Sequence, residues 1–264
     1  MDEESVKRMD KRTTPRTFNS YDFENKRILI TPHGPDPVLL GIRGETPTVV
    51  KEAFSMVRIH EPVERWVIFR TNHGTDAHLT GGASNGRIKA DRPVVLRGVV
   101  SDRPRRISAG HVFFTLRNRE GEWTCAAFEP TGKFKESVAN LLPGDRVTAY
   151  GAAKKTQTHQ SLTVNLEKLM IHALTEVGDL ENPRCPSCHK HMKSAGRGQG
   201  FRCRKCSLTL PKSSKELRTA RRSVTTGLYV PALKAHRHLT KPLSRYGRER
   251  TLVPRPPSGQ WHSP

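Results

Sequence analysis

Four of the five cysteines fall into two pairs, Cys185-Pro-Ser-Cys188 and Cys203-Arg-Lys-Cys206, with fourteen residues between them. Each pair turns tightly enough to offer two sulfurs to one ion, and the spacing lets a hairpin bring the pairs together. That is the pattern of a closed tetrahedral zinc site with four thiolate ligands, so the metal is expected to be structural, with no open position for a substrate. Gly196, Gly198 and Gly200 suit the hairpin tip. Disulfides are the alternative, but the first residues, MDEESVKRMDKRTTPR, hold no apolar stretch of a secretory signal. Cys125, in EWTCAAF, reads as a small core residue.

Charge narrows the partner. The chain has 264 residues and a formal net charge of +21. Residues 181–264 hold nineteen Lys/Arg against three acids, or +16 of that total. Positive charge concentrated in this way is the footprint of a phosphate-backbone binder. No run approaches the roughly 20 apolar residues of a membrane span. A membrane partner is therefore not expected, and the location expected is cytoplasmic. The low hydrophobic share, 34%, leaves length for tail or linker. Residues 1–16 are read as disordered, and so is the tail RERTLVPRPPSGQWHSP.

Residues 92–172 read as a string of short strands. RPVVLRGVVSD, HVFFTLRN and EWTCAAF alternate apolar and polar positions, KFKESVANLL has helical spacing, and DRVTAYGAA and SLTVNLEKLMIH are again strand-like. Three strands, a helix and two strands give the layout of a five-stranded OB β-barrel. Arg97, Phe113 and Arg117 lie on the exposed parity, where they suit backbone tracking and base stacking; singly, each is also an ordinary solvent-facing residue. In the ribbon, Lys190, Lys193, Arg197, Arg202, Arg204 and Lys205 are candidate phosphate contacts, with Arg237 and Lys241 extending the track.

Between residues 17 and 88 the pattern is a small α+β unit. RILIT, VLLGIR and RWVIFRT are strand candidates, and Thr46-Pro47 starts a helix with Thr46 as N-cap and Pro47 at the first helical position. Two loops combine backbone freedom with charge. The first holds Gly34, Asp36, Arg43, Gly44 and Glu45; the second, Asn72-His73-Gly74-Thr75-Asp76, follows a strand. Ordinary turn and capping chemistry accounts for both loops about as well as a binding site does.

The phrases TFNSYDFENKRILITPHGPDPVLLGIRGETP, ERWVIFRTNHGTDAHL and HRHLTKPLSRYG strongly resemble the archaeal 2-agmatinylcytidine synthetases that modify the minor isoleucine tRNA. The resemblance covers roughly residues 17–247. It implies an ATP-dependent ligase that joins agmatine to the wobble cytidine of a CAU anticodon. It also implies a ferredoxin-like domain, here over 17–88, an OB domain over 89–176 and a zinc ribbon over 177–212; the charge count leaves a basic C-terminal extension over 213–264. Agmatine is a dication, and a carboxylate can hold its guanidinium by a bidentate bond, so Asp36 and Glu45 become candidate contacts, with Gly34, Arg43, Gly44, Asn72, Thr75 and Asp76 around them.

One departure stands out. The family opens with a kinase-like domain carrying a Gly-Ile-Asp-Asp-Thr-Asp-Ser type of motif, and that motif is absent here. Catalytic residues, ATP and Mg are therefore expected only through a kinase-like domain outside this sequence. A split subunit served by a separate kinase-like polypeptide and a truncated product are the alternatives. A non-enzymatic OB/zinc-ribbon binder of nucleic acid is the rival from another class.

Overall fold

The computed structural model describes residues 1–32, 34–80, 88–129, 131–155, 162–248 and 259–263. Helix α1, Glu3–Thr13, comes first, where disorder was expected. Its charge density hides an amphipathic stripe: Ser5, Val6, Met9, Asp10 and Thr13 are buried on one side. The Asp2 carboxylate caps the helix by accepting from Ser5 N–H at 2.6 Å, with Glu3 and Glu4 in the first turn and Lys11 and Arg12 in the last. A short hairpin, β1 (Tyr21–Asp22) and β2 (Arg27–Ile28), follows. Helix α2, Pro47–Met56, starts as its sequence predicts, with the Thr46 hydroxyl accepting from Val49 N–H. Val6, Met9, Tyr21, Ile30, Ala53 and Val57 form the core of this unit.

Three expected strands are short of partners among the described residues. RILIT contributes only β2, and VLLGIR and RWVIFRT join no ladder. Only isolated bridges form there, Gly44 with Thr17 just past the first segment and Val67 with His262 inside the second. Strand propensity is strong in both, but Val38, Leu39, Val67 and Phe69 stay exposed, without the covering layer that a strand face needs.

The barrel appears where the alternation places it. Strands β3 (Pro93–Val100), β5 (Val112–Asn118), β6 (Gly121–Ala127), β7 (Arg146–Lys155) and β8 (Leu162–Ala173) close on themselves in the order β7-β3-β5-β6-β8-β7, with β4 (Arg105–Arg106) beside β5. All pairings are antiparallel except β6 with β8. Val94, Leu96, Val100, Val112, Phe114, Leu116 and Cys125 fill the interior, and Phe134, Val138 and Leu141 of helix α3 (Lys133–Ala139) and its end pack against them. Cys125 is fully buried in apolar surroundings, which pushes its thiol up and leaves it a packing residue.

The chain then runs through β9 (Gly178–Glu181) into the ribbon: β10 (Lys193–Ser194), β11 (Phe201–Arg202) and β12 (Thr209–Leu210). Strand β13 (Glu216–Thr219) returns beside β9, and β14 (Gly227–Tyr229) adds to β8, so the C-terminal extension folds back along the barrel. In the tail read as unstructured, residues 249–258 and 264 lie outside the described residues, but 259–263 do not run free. Ile68 N–H donates to Trp261 O at 2.7 Å, and Ser263 N–H to Trp66 O at 2.9 Å. Among the described residues, no helix is long and apolar enough to cross a membrane.

A buried ion pair ties the extension to the barrel. Asp145, fully buried in the Leu-Pro-Gly-Asp turn before β7, accepts from both ends of the Arg222 guanidinium at 2.6 and 2.8 Å. It also accepts from the N–H groups of Leu142 and Thr175. Burial pushes the carboxyl up, but Arg222 and the two N–H groups outweigh it, so Asp145 titrates below the usual aspartate range. Its contribution is thus complete above the ordinary aspartate pKa and disappears as pH falls through the lower folded value. Arg222→Ala should lose about 3 kcal/mol at neutral pH in urea melts, because it strands a buried charge. The deficit relative to wild type should shrink as pH falls below the ordinary aspartate value of about 4, toward the lower range in which Asp145 takes up its proton.

Candidate substrate and nucleic-acid site

The four ribbon cysteines converge as their spacing requires, with sulfur atoms all within 4.8 Å of one another and none in a disulfide. Both pairs use the same turn: His189 and Ser207, each directly after the second cysteine of its pair, have positive φ, 58° in both. Cys206 N–H points at the Cys203 sulfur at 3.4 Å, and that donor holds the Cys203 thiol down at about 6 despite its burial. A divalent soft-ligand ion fits this set, and zinc held by Cys185, Cys188, Cys203 and Cys206 would close it. Gly200 is required on the return strand, because its φ is +74° and a Cβ there would meet the Leu210 carbonyl at 2.1 Å. Around this frame Lys190, Lys193, Arg197, Arg202, Arg204 and Lys205 are all exposed.

On the barrel, Arg97 and Arg117 lie on the outer surface of neighbouring strands β3 and β5, as their parity requires. Phe113 is half-buried, edge-on to Phe128 at 5.9 Å. Sequence reasoning missed His172 and Arg146 on the same surface. His172 Nε2 meets Thr148 Oγ1 at 2.7 Å, and burial together with the charges of Arg97 and Arg146 lowers its pKa.

The two loops of the N-terminal unit do not behave alike. Gly34 and Asp36 are exposed, and the Asp36 carboxylate accepts from Val38 N–H in a local turn; neighbouring His33 lies outside the described residues. Asn72 and Thr75 are also exposed, and Thr75 Oγ1 donates to Asn72 O at 2.6 Å while accepting from Ala77 N–H. That is capping geometry for the short 3-10 turn at Ala77–Thr80.

Arg43 and Gly74 instead lie against the buried Phe18, Gly44 and Glu45 lie beside the adjoining Arg16–Thr17 backbone, and Asp76 turns to the C-terminal segment. Phe18 N–H donates to Arg43 O, Glu45 N–H to Arg16 O, and a Cβ on Gly74 (φ +62°) would lie 2.7 Å from the Phe18 ring. Arg43 is half-buried, and that partial desolvation lowers its pKa. Burial, with the charges of Arg43 and His238, also lowers His73, whose ring stacks on His238 at 5.3 Å.

The C-terminal segment closes this region. Gly74 N–H donates to His238 O, and Asp76 N–H to Leu239 O, both at 2.9 Å. The Asp76 carboxylate accepts from Lys241 N–H at 2.7 Å, from Tyr246 Oη at 3.0 Å and from Lys168 Nζ. Lys168 comes from β8, is 1% exposed, and also donates to Lys241 O at 2.8 Å. Burial pushes its ammonium below the usual lysine range, against the pull of Asp76. Beside it His78 Nε2 meets Glu167 Oε2 at 2.7 Å, and Arg237 reaches Glu167 from the other side at 3.2 Å. Lys241, a candidate RNA contact, is 7% exposed, its ammonium over the Tyr246 ring. Lys168 carried a signal in the sequence: Glu167-Lys168 interrupts the apolar run of a central strand.

A closed five-stranded barrel with arginines on its outer surface, followed by a four-thiolate ribbon, is an OB-fold and zinc-ribbon architecture. Family models agree: the OB-fold nucleic acid binding domain matches residues 94–171, the TiaS FLD domain residues 1–78 and the TiaS C-terminal zinc ribbon domain residues 182–224. The isoleucine-tRNA 2-agmatinylcytidine synthetase TiaS of Staphylothermus marinus is 44% identical over 251 residues, covering 95% of this chain and 55% of the relative. The crystal structure of apo TiaS, an isoleucine-tRNA agmatidine synthetase, aligns with TM-score 0.76 at 43% identity, over 92% of this chain and 56% of that one. The complex of TiaS with its isoleucine tRNA, AMPCPP and agmatine aligns with TM-score 0.73 at 40% identity, over 92% and 55%. The chain belongs to the TiaS family, and it spans about half the length of the curated relatives it matches.

Two outcomes test these assignments. Elemental analysis should find one zinc per wild-type chain and none in Cys203→Ser, while the barrel of the variant retains its near-ultraviolet signal. Lys168→Met should speed amide exchange in 72–79 and 238–246 together and cost about 3 kcal/mol, since it strands the Asp76 carboxylate.

Proposed function

We propose that this chain is the tRNA-binding and substrate-handling portion of an ATP-dependent 2-agmatinylcytidine synthetase acting on the minor isoleucine tRNA. The observation that carries this reading is the joint occurrence of the two TiaS-specific domains with an intervening OB barrel in one chain. The basic residues of barrel and ribbon would track the phosphates of a folded tRNA, reading shape more than sequence. The region around Phe18, with Glu45 and Arg43 beside it, would hold agmatine, and the exposed loop residues Gly34, Asp36, Asn72 and Thr75 would border that region.

The chemistry asks for an activated carbonyl. A kinase-like domain outside this sequence would hold ATP with Mg, which would supply the phosphoryl group that activates the C2 oxygen of the wobble cytidine. Agmatine would bind as the dication, its ammonium would lose one proton to expose the amine's lone pair, and that amine would bond to C2 as the oxygen leaves with phosphate and a second proton is released. In this scheme the present residues orient the dication and the anticodon; they carry no phosphoryl-transfer step themselves.

The test is incorporation of radiolabelled agmatine into unmodified minor isoleucine tRNA with ATP, using the chain alone and together with a kinase-like polypeptide. Incorporation only in the mixture is the expected result. Robust incorporation by the chain alone would overturn the division of labour. Competition binding separates the rival: a preference for folded tRNA over a single strand is expected here, and the reverse would favour a non-enzymatic OB/zinc-ribbon binder. Replacing Arg97, Arg117 and Arg202 by alanine should reduce the slope of log K against log salt by about 2–3.

A further inference from the structure

Glu45 is a buried carboxylate already holding a guanidinium. Its side chain is 4% exposed, and its two oxygens accept from Arg248 Nε at 2.8 Å and Arg248 Nη2 at 3.1 Å. This is the parallel, two-bond geometry by which a carboxylate selects a guanidinium over an ammonium. A second guanidinium lies close by in the fold: the Arg245 Cζ sits 4.5 Å from the centroid of the Phe18 ring. Both acceptors, an acid and an aromatic face, belong to the N-terminal unit, and both guanidinium groups come from one short C-terminal segment.

The two sides of the Glu45 contact differ in how firmly they are fixed. Glu45 follows directly on the Thr17–Gly44 bridge, its N–H donates to Arg16 O at 3.0 Å, and it precedes the Thr46 cap of α2. Its backbone is therefore held in place, and its side chain, 4% exposed, is enclosed by the fold. Arg248 follows Gly247, which has φ +76°, and keeps 38% of its side chain exposed. The acid is a rigid socket, and the guanidinium is a partly solvated plug reaching in from a turn.

We propose that Glu45 is a binding site for alkylguanidinium cations and that Arg248 occupies it in cis, so that a guanidinium ligand enters by displacing Arg248. This deepens the agmatine reading above and rests on it for the identity of the natural ligand. It adds a competitor: the segment that closes over the N-terminal unit would release its arginine when agmatine arrives, linking occupancy of the pocket to the position of the C-terminal extension.

The experiment uses the full chain and Arg248→Ala, with agmatine, ethylguanidinium and ethylammonium as probes. Thermal melts should show that Arg248→Ala lowers Tm and that ethylguanidinium restores it saturably, whereas ethylammonium at equal ionic strength does not. Calorimetry should show agmatine binding to Arg248→Ala on the order of tenfold more tightly than to wild type, because the Arg248 guanidinium no longer has to be displaced. Glu45→Gln added to Arg248→Ala should erase both effects. If Arg248→Ala does not fold, Arg248→Lys replaces it, keeping the charge and losing the two-bond fork. Equal rescue by both cations, or none, overturns the proposal. Agmatine binding to wild type that Arg248→Ala leaves unchanged overturns it too, while sparing the agmatine reading. Selective ethylguanidinium rescue with no agmatine binding to any variant supports the socket and removes the agmatine reading instead.

Discussion

A lysine inside the fold organises this molecule. Lys168 leaves the barrel strand β8 with its ammonium almost out of water, and isolating that charge would cost several kcal/mol. It is tolerated because three groups from distant parts of the chain answer it: Asp76 from the N-terminal unit, and the Lys241 carbonyl and Tyr246 hydroxyl from the C-terminal segment. Each of those groups is held by the others, since Asp76 also accepts from Tyr246 and from Lys241 N–H. Three segments distant in sequence thus share one electrostatic knot. The arrangement of Glu45, Phe18 and Gly74 against residues 238–248 follows from it.

How far this could be read from the residues depends on the physical range of each signal. Alternation over seven to twelve residues identifies a half-buried strand without knowledge of its partner, so the five barrel strands and α3 fall where the pattern puts them. The convergence of the four ribbon cysteines was equally legible, because a tetrahedral ion imposes spacing directly. Helix α1 was not, since its apolar stripe is thin: only Val6 and Met9 among eleven residues are buried hydrophobics, and charges crowd the rest. The segments at 38–43 and 65–71 show the opposite failure, strand-like composition without a ladder to join among the described residues.

The candidate site divides along the same line. Glu45 and Arg43 were picked for their chemistry, and the fold does bring them beside the Arg16–Phe18 segment. Asp76 was picked for its loop, and the fold commits its carboxylate to internal donors. Nothing local could have disclosed that, because the donors lie 92, 165 and 170 residues away. The phrase HRHLTKPLSRYG similarly reads as a basic track, yet its Lys241 is buried and its Tyr246, though exposed, sends its hydroxyl to the knot.

The pairing of Trp66 with Ser263 spans 197 residues. At synthesis rates of 5–20 residues per second, residues 66–68 wait about 10–40 s on the ribosome before their partner has been made. Throughout that interval an extended segment rich in Trp, Val, Ile and Phe presents open amide and carbonyl groups to its surroundings. A nascent chain built this way invites chaperone attention around residues 65–71, and it makes that contact only after the barrel and ribbon have already been synthesised.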